Sequence, residues 1–292
     1  LEFFHACGML VVEGYGLTES AGFVTINRHD APRFGTVGRA LPNVELRIAQ
    51  YRQAGDCSFC LRLARRVVVS KIRNSRTLVR RNHPEPPRSI LRSLRELAEK
   101  AHEAESVESL LGLEGAAARA YFEALAGMLK TSEEAFAIRF DGRNRRPPRD
   151  PVNAMLSFCY SLLTKELVLA TRVVGLDPLL GFYHRPRFGR PALALDLMEE
   201  FRPIVADSVV LAVVNNAVVD SRDFDVSPVG VSLRPAGRRR LIEAFERRMD
   251  DIITHPVFGY RISYRRVFEV QARLLGRFLL GEIPDYPKFE TR

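Results

Sequence analysis

Residues 58–81 read SFCLRLARRVVVSKIRNSRTLVRR. Leu61, Ala64, Val68, Ile72 and Val79 recur at spacings of three, four or seven, which places them on one apolar stripe of a helix. Arg62, Arg66, Arg73, Arg76 and Arg80 form a second, basic stripe. Pro84, Pro86 and Pro87 then break the pattern.

Working outward from this helix, the same periodicity dominates towards the C-terminus. It predicts helices near 89–104, 106–111 and 115–129. An Arg-, Gly- and Pro-rich loop spans Phe140 to Pro151, and Asn153 can cap a long apolar helix that ends before Asp177-Pro178. Another helix is expected at Pro191–Glu200. Residues 207–219 are Val-rich and suit either a strand or a buried helix. Pro228-Val229-Gly230 inside Phe224–Leu233 marks a β-hairpin. Two helices, Arg238–Thr254 and Tyr264–Leu280, close the chain. Upstream the texture changes. Residues 1–49 hold six of the 19 glycines, and β-branched runs at Phe23–Ile26 and Val44–Ile48 suggest strands. The expected fold is therefore mainly α with a short hairpin, preceded by a small α/β fragment.

The net charge is +9. Residues 1–49 carry four Arg and five acids, which leaves 40 basic and 30 acidic residues for the rest. Ten Lys or Arg lie between Arg62 and Arg92, against the single acid Glu85. Such an excess suits a polyanionic partner such as DNA, although a basic stripe also serves as a plain solvated face. Arg62, Arg66, Lys71, Arg73, Arg76 and Arg80 are the candidate phosphate track. No aromatic residue interleaves them, so base stacking on this helix is not expected.

No window of about 18 residues lacks charge, so no transmembrane helix is expected; the most apolar stretch, Ala154–Val174, contains Lys165, Glu166 and Arg172. The four cysteines do not make a disulfide framework. Cys57 and Cys60 form half of a zinc site with no second half nearby, and a cytoplasmic location follows as the default.

Two acids interrupt an apolar pattern. In Leu193-Ala-Leu-Asp196-Leu-Met-Glu199, Asp196 and Glu199 share one helix face, and Asp196 sits among leucines. A buried carboxylate is costly unless it is paired or bound to a cation. His184 lies 12 residues earlier among Arg185, Arg187 and Arg190, and Glu114 stands at the start of an Ala-rich helix. The ordinary readings are a salt-bridged pair, a structural histidine and a carboxylate favoured by a helix dipole.

The string GLDPLLGFYHRPRFGRPALALDLMEEFRP (175–203) is similar to the signature of the CRISPR-associated integrase family, the nuclease of CRISPR adaptation. KIRNSRTLVRRN (71–82), GLEGAAARAYF (112–122) and DPVNAMLSFCYSLL (150–163) resemble further motifs of that family in the right order. The resemblance covers about residues 50–292. It implies a helical catalytic domain and a metal-dependent DNA endonuclease and integrase, with Mg²⁺ or Mn²⁺ as the cofactor. It places metal ligands on Glu114, His184 and Asp196, with Glu199 as a fourth catalytic participant and Asp207 in a supporting position. Arg185, Arg187 and Arg190 would neutralise phosphate charge. The implied partners are double-stranded DNA, the small subunit of the adaptation complex and a second copy of the chain. The family's β-rich N-terminal domain has no counterpart before Ser58. Pairing of copies is therefore doubtful, and weak integration is expected.

EGYGLTESAG (13–22) and GTVGRALPNVELRIA (35–49) instead resemble the acyl-CoA synthetase and AMP-forming ligase family. Without that family's phosphate loop and lysine, residues 1–49 would be an inert fragment. The rivals to an integrase are thus a non-catalytic helical DNA-binding remnant and an acyl-adenylating ligase.

Overall fold

The computed structural model describes residues 6–9, 11, 12, 14–17, 22–27, 30, 39, 40, 42–130, 140, 142–144 and 147–291. Near the N-terminus, β1 (Gly14–Leu17), β2 (Gly22–Ile26) and β3 (Arg39–Ala40) form an antiparallel sheet in that order. Thr18 and Glu19 of the ligase-like motif, and residues 31–38, lie outside the described residues.

Helix α1 spans Pro42–Ala54, so the run Val44–Ile48, expected as a strand, is helical. The spacing explains the correction. Leu46 and Gln50 are one turn apart and both buried, Leu46 against Gly276. Gln50 donates to the carbonyls of Asp177 and Leu180 at 2.8 and 2.7 Å and accepts from Asp177 N at 2.8 Å. The join expected at residue 50 thus falls inside a helix stapled to the loop that leads to His184.

Helix α2 (Cys57–Asn82) begins at Asp56, whose carboxylate accepts from Ser58 N and Phe59 N at 2.8 and 3.1 Å. It is the central helix. Its apolar positions extend beyond one stripe, since Phe59, Leu63, Val67, Val68, Val69, Ile72, Leu78 and Val79 are all buried. α3 (Arg88–Glu103) and α4 (Val107–Ala126) pack along it. α4 is one helix where the sequence suggested two, so Glu114 lies mid-helix and the helix-dipole reading falls away.

Helix α5 (Pro151–Val174) is capped by Asp150, which accepts from Asn153 N at 2.8 Å. Asn153, expected as the cap, is instead buried and holds the preceding loop, donating to Gly142 O and accepting from Arg143 Nη1. Gly175 ends α5 at φ 94°, a left-handed cap that favours glycine. By length and composition alone α5 is long and apolar enough to cross a membrane. Here it is a core helix, with Leu156, Cys159, Leu163 and Leu167 fully buried.

Helix α6 (Ala192–Phe201) runs into a π-helical turn, Arg202–Asp207, and then α7 (Ser208–Asn215), which settles the ambiguous Val-rich run as helix. The hairpin β4 (Phe224–Ser227) and β5 (Gly230–Leu233) appears as expected. α8 spans Pro235–Asp250. The residues expected to extend it form β6 (Ile252–Thr254), paired with β7 (Arg261–Ser263). α9 (Tyr264–Leu279) completes the core, and the chain is mainly helical.

The C-terminal segment straps back over α2. Tyr286 and Phe289 are buried, Ser70 Oγ donates to Phe289 O at 2.6 Å, and Thr291 N donates to Asn74 Oδ1 at 2.9 Å. Glu200, fully buried, accepts from Tyr286 OH at 2.7 Å and Phe289 N at 3.0 Å. Burial pushes its carboxyl up to about 7, although the hydrogen bonds from Tyr286, Phe289 and Gln271 pull it down. The folded value exceeds the unfolded one. The stabilising contribution is therefore complete below about pH 4.5 and is lost as pH rises through 7, by about 3 kcal/mol. Glu200→Gln is expected to remove that loss. Urea unfolding at pH 5 and pH 8 checks this, and equal losses in wild type and variant would contradict it.

Candidate active site

The loop after α5 turns back at Gly181, where a Cβ would lie 2.7 Å from the Ala192 carbonyl carbon. This close approach sets residues 182–184 against the first turns of α6. There Asp196 accepts from Phe182 N at 2.6 Å, Tyr183 N at 3.1 Å and His184 N at 2.7 Å. Its Oδ1 also lies 2.8 Å from His184 Nδ1. Both carboxylate oxygens are thus engaged by the loop. With Nδ1 held against Asp196, the ring nitrogen left for the site is Nε2. It faces Glu199 Oε1 at 3.8 Å.

Glu199 lies one helical turn on and is buried. Arg202 Nη2 lies 3.0 Å from Oε1, and Lys71 Nζ lies 2.7 Å from Oε2. Burial works against its charge, but Arg202, Lys71 and His184 outweigh it and hold the Glu199 carboxyl well below the usual range. Glu114 reaches the same point from α4: its Oε1 pairs with Lys71 Nζ and its Oε2 accepts from Tyr183 OH. Burial raises the Tyr183 phenol, and the Glu114 charge raises it further, so it stays a donor. For Arg202, burial lowers the guanidinium, but the Glu199 charge prevails and raises it.

The structure therefore brings together Glu114, His184 and Glu199, and Lys71 bridges the two carboxylates. Asp196 is set back and orients His184, with its two oxygens engaged by the loop. Among the described residues no three His, Cys, Asp or Glu side chains close to coordination distance, with the Lys71 ammonium between the acids. Oε2 of Glu199 is buried against the Lys71 ammonium at 2.7 Å, an acceptor already facing a cation. Two carboxylates and an imidazole nitrogen suit a hard divalent ion. Asp207 sits apart, accepting from Tyr121 OH and Tyr160 OH, both at 2.7 Å. Burial raises its carboxyl despite those bonds.

The expected phosphate track fares differently. Lys71 belongs to the carboxylate cluster, not the track. At about 100° per residue, Arg62, Arg73 and Arg80 lie on the opposite side of α2 from it. Arg62 stacks over Phe59 and Phe278, Arg66 pairs with Asp285, Arg73 with Glu290, and Arg76 donates to Leu91 O. These contacts fasten the C-terminal strap and α3. Arg80 is exposed. Arg185 and Arg187 are exposed on the loop after His184, with Arg190 half-buried, and Arg185 has Glu108 at 3.7 Å. Tyr183 and Arg202 are site members that sequence reasoning missed, and Lys71 was named only for the phosphate track. Lys71 standing off the basic stripe was the one available signal.

Comparison with known proteins gives this geometry a family. The profile of "CRISPR associated protein Cas1" matches residues 17–247. A "CRISPR-associated exonuclease Cas4/endonuclease Cas1 fusion" from Geobacter sulfurreducens is 52% identical over 264 residues, covering 88% of this chain and 47% of the relative. "CRISPR-associated endonuclease Cas1 3" from Thermus thermophilus is 45% identical over 250 residues, covering 86% and 73%. A chain of a solved "Cas6-RT-Cas1--Cas2 complex" is 25% identical with a TM-score of 0.72, covering 92% of this chain and 28% of that one. The chain spans about half the length of the fusion protein it matches. The profile begins at residue 17, inside the segment assigned to a ligase, and the fusion carries an exonuclease, so the ligase reading is not supported. The chain belongs to the CRISPR-associated Cas1 family.

Proposed function

We propose that this chain acts as a divalent-metal-dependent DNA endonuclease and integrase in CRISPR adaptation, with Glu114, His184 Nε2 and Glu199 as its metal ligands. The supporting observation is that the Lys71 ammonium lies between the Glu114 and Glu199 carboxylates, with the oriented imidazole of His184 3.8 Å from Glu199. The cation-facing Glu199 oxygen and the donor set fit Mg²⁺ or Mn²⁺. Such an ion would polarise a phosphodiester and lower the pKa of a bound water or 3′-hydroxyl.

The protein's own groups prepare the site. Asp196 fixes the ring and tautomer of His184, as outer-shell carboxylates do for metal-binding histidines. Tyr183 and Arg202 fix the two ligand carboxylates. Arg185, Arg187 and Arg190 stand on the loop beside His184 as phosphate contacts. We retain the division into an N-terminal segment and a helical catalytic unit, with α1 joined to the latter. We also propose double-stranded DNA and a small Cas2-type subunit as partners, and a cytoplasmic setting.

The test uses supercoiled plasmid. Nicking that requires Mn²⁺ and stops with EDTA is expected. EDTA-resistant nicking, or no nicking over a full range of Mn²⁺ concentrations, would count against the proposal.

A further inference from the structure

We propose that Phe188 is a stacking platform for an unpaired nucleobase next to the reacting phosphate; this rests on the phosphodiester reading above. Phe188 is fully exposed, four residues beyond His184. A tight turn presents it. Arg190 N donates to Arg187 O at 2.9 Å, and Gly189 sits at φ 69°. Phe188 and Gly189 are therefore the central pair of a turn that needs a left-handed second residue. Both ends of the loop are pinned. On one side Asp196 binds the backbone of residues 182–184. On the other, Leu193 N donates to Pro178 O at 3.0 Å. The ring is thus displayed from a fixed frame.

Its surroundings name the ligand class. Arg185, Arg187 and Arg190 flank it in sequence, with Glu108 at 3.7 Å from Arg185. Cations that follow a phosphate backbone, with an aromatic face beside them, are the recipe for single-stranded nucleic acid. The basic stripe of α2 lacks any such interleaved ring. Four residues of chain reach at most about 14 Å, so the ring stands within a few nucleotides of His184. Protein docking is the weaker fit. One ring on a convex turn between arginines cannot approach the roughly 800 Å² per partner that a stable interface buries. The inferred ligand is a DNA strand end whose last bases are unpaired, with its phosphates on the arginines and a base on Phe188.

The experiment uses the full chain and DNA carrying 2-aminopurine in a single-stranded 3′ overhang, with a blunt duplex as control. Wild type is expected to quench the probe. Phe188→Ala is expected to lose the quenching and to bind overhang DNA about tenfold more weakly. Blunt duplex affinity should stay unchanged, and Phe188→Trp should restore both signals. An alanine variant that quenches like wild type, a wild type that never quenches, or equal loss on both DNAs would overturn the proposal. Mn²⁺-dependent nicking on the same samples is scored separately. Phe188-dependent quenching without nicking keeps the platform and sinks the phosphodiester reading, whereas nicking without such quenching does the reverse.

Discussion

Glu199→Gln should reduce Mn²⁺-dependent DNA cleavage by roughly 10²–10³-fold or more, the loss typical when a group stabilising transition-state charge is removed. The reason is positional. Glu199 is buried, its Oε2 faces the Lys71 ammonium at 2.7 Å, and its other oxygen faces His184 Nε2. Glutamine keeps the shape and removes the charge. Asp196→Asn should behave differently, because Asp196 acts through His184. Outer-shell changes of this kind cost about 10–100-fold. Asp196→Ala should in addition destabilise the fold by about 3 kcal/mol, since it strips the acceptor from three loop N–H groups. Steady-state cleavage and urea unfolding of the three variants separate the two roles. If Asp196→Asn lost activity as completely as Glu199→Gln while Glu199→Gln kept its metal affinity, the assignments would have to be exchanged.

Lys71→Met should produce the largest change in stability. The ammonium is 14% exposed and lies against both Glu114 and Glu199. Without it, two nearly buried carboxylates confront each other. Removing one partner of a buried ion pair costs about 3–5 kcal/mol. For a chain of this size that is roughly 10 °C in thermal midpoint. A divalent ion supplies the missing positive charge, so Mn²⁺ should recover most of the loss. The measurement is thermal unfolding in EDTA and in Mn²⁺. An equal deficit in both conditions would mean that Lys71 does not occupy the cation position.

The long elements were legible because their periodicity is strong. The basic helix found from its stripes is α2, and α6 lies within the expected 191–200. Short β-branched runs were not legible. Val44–Ile48 resembles a strand only until Leu46 and Gln50 are seen to face the same core. Ile252–Thr254 resembles a helix end because the partner of β6 lies beyond Pro256 and Gly259. In the site, the sequence named Glu114, His184, Asp196 and Glu199, with Asp196 placed among the metal ligands and Glu199 as a fourth participant. Both lie on one face. What distinguishes them is the loop of residues 182–184, which takes every oxygen of Asp196 and none of Glu199. The acids that pair with Arg66 and Arg73 on the basic stripe of α2, Asp285 and Glu290, come from more than 200 residues away, so this pairing was not legible either.

The most direct measurement is Mn²⁺ binding to the metal-free protein, followed by electron paramagnetic resonance. Saturable binding in wild type is expected, weakened at least about tenfold by Glu199→Gln, Glu114→Gln or His184→Ala. Unchanged Mn²⁺ affinity in all three variants would contradict the proposed metal centre.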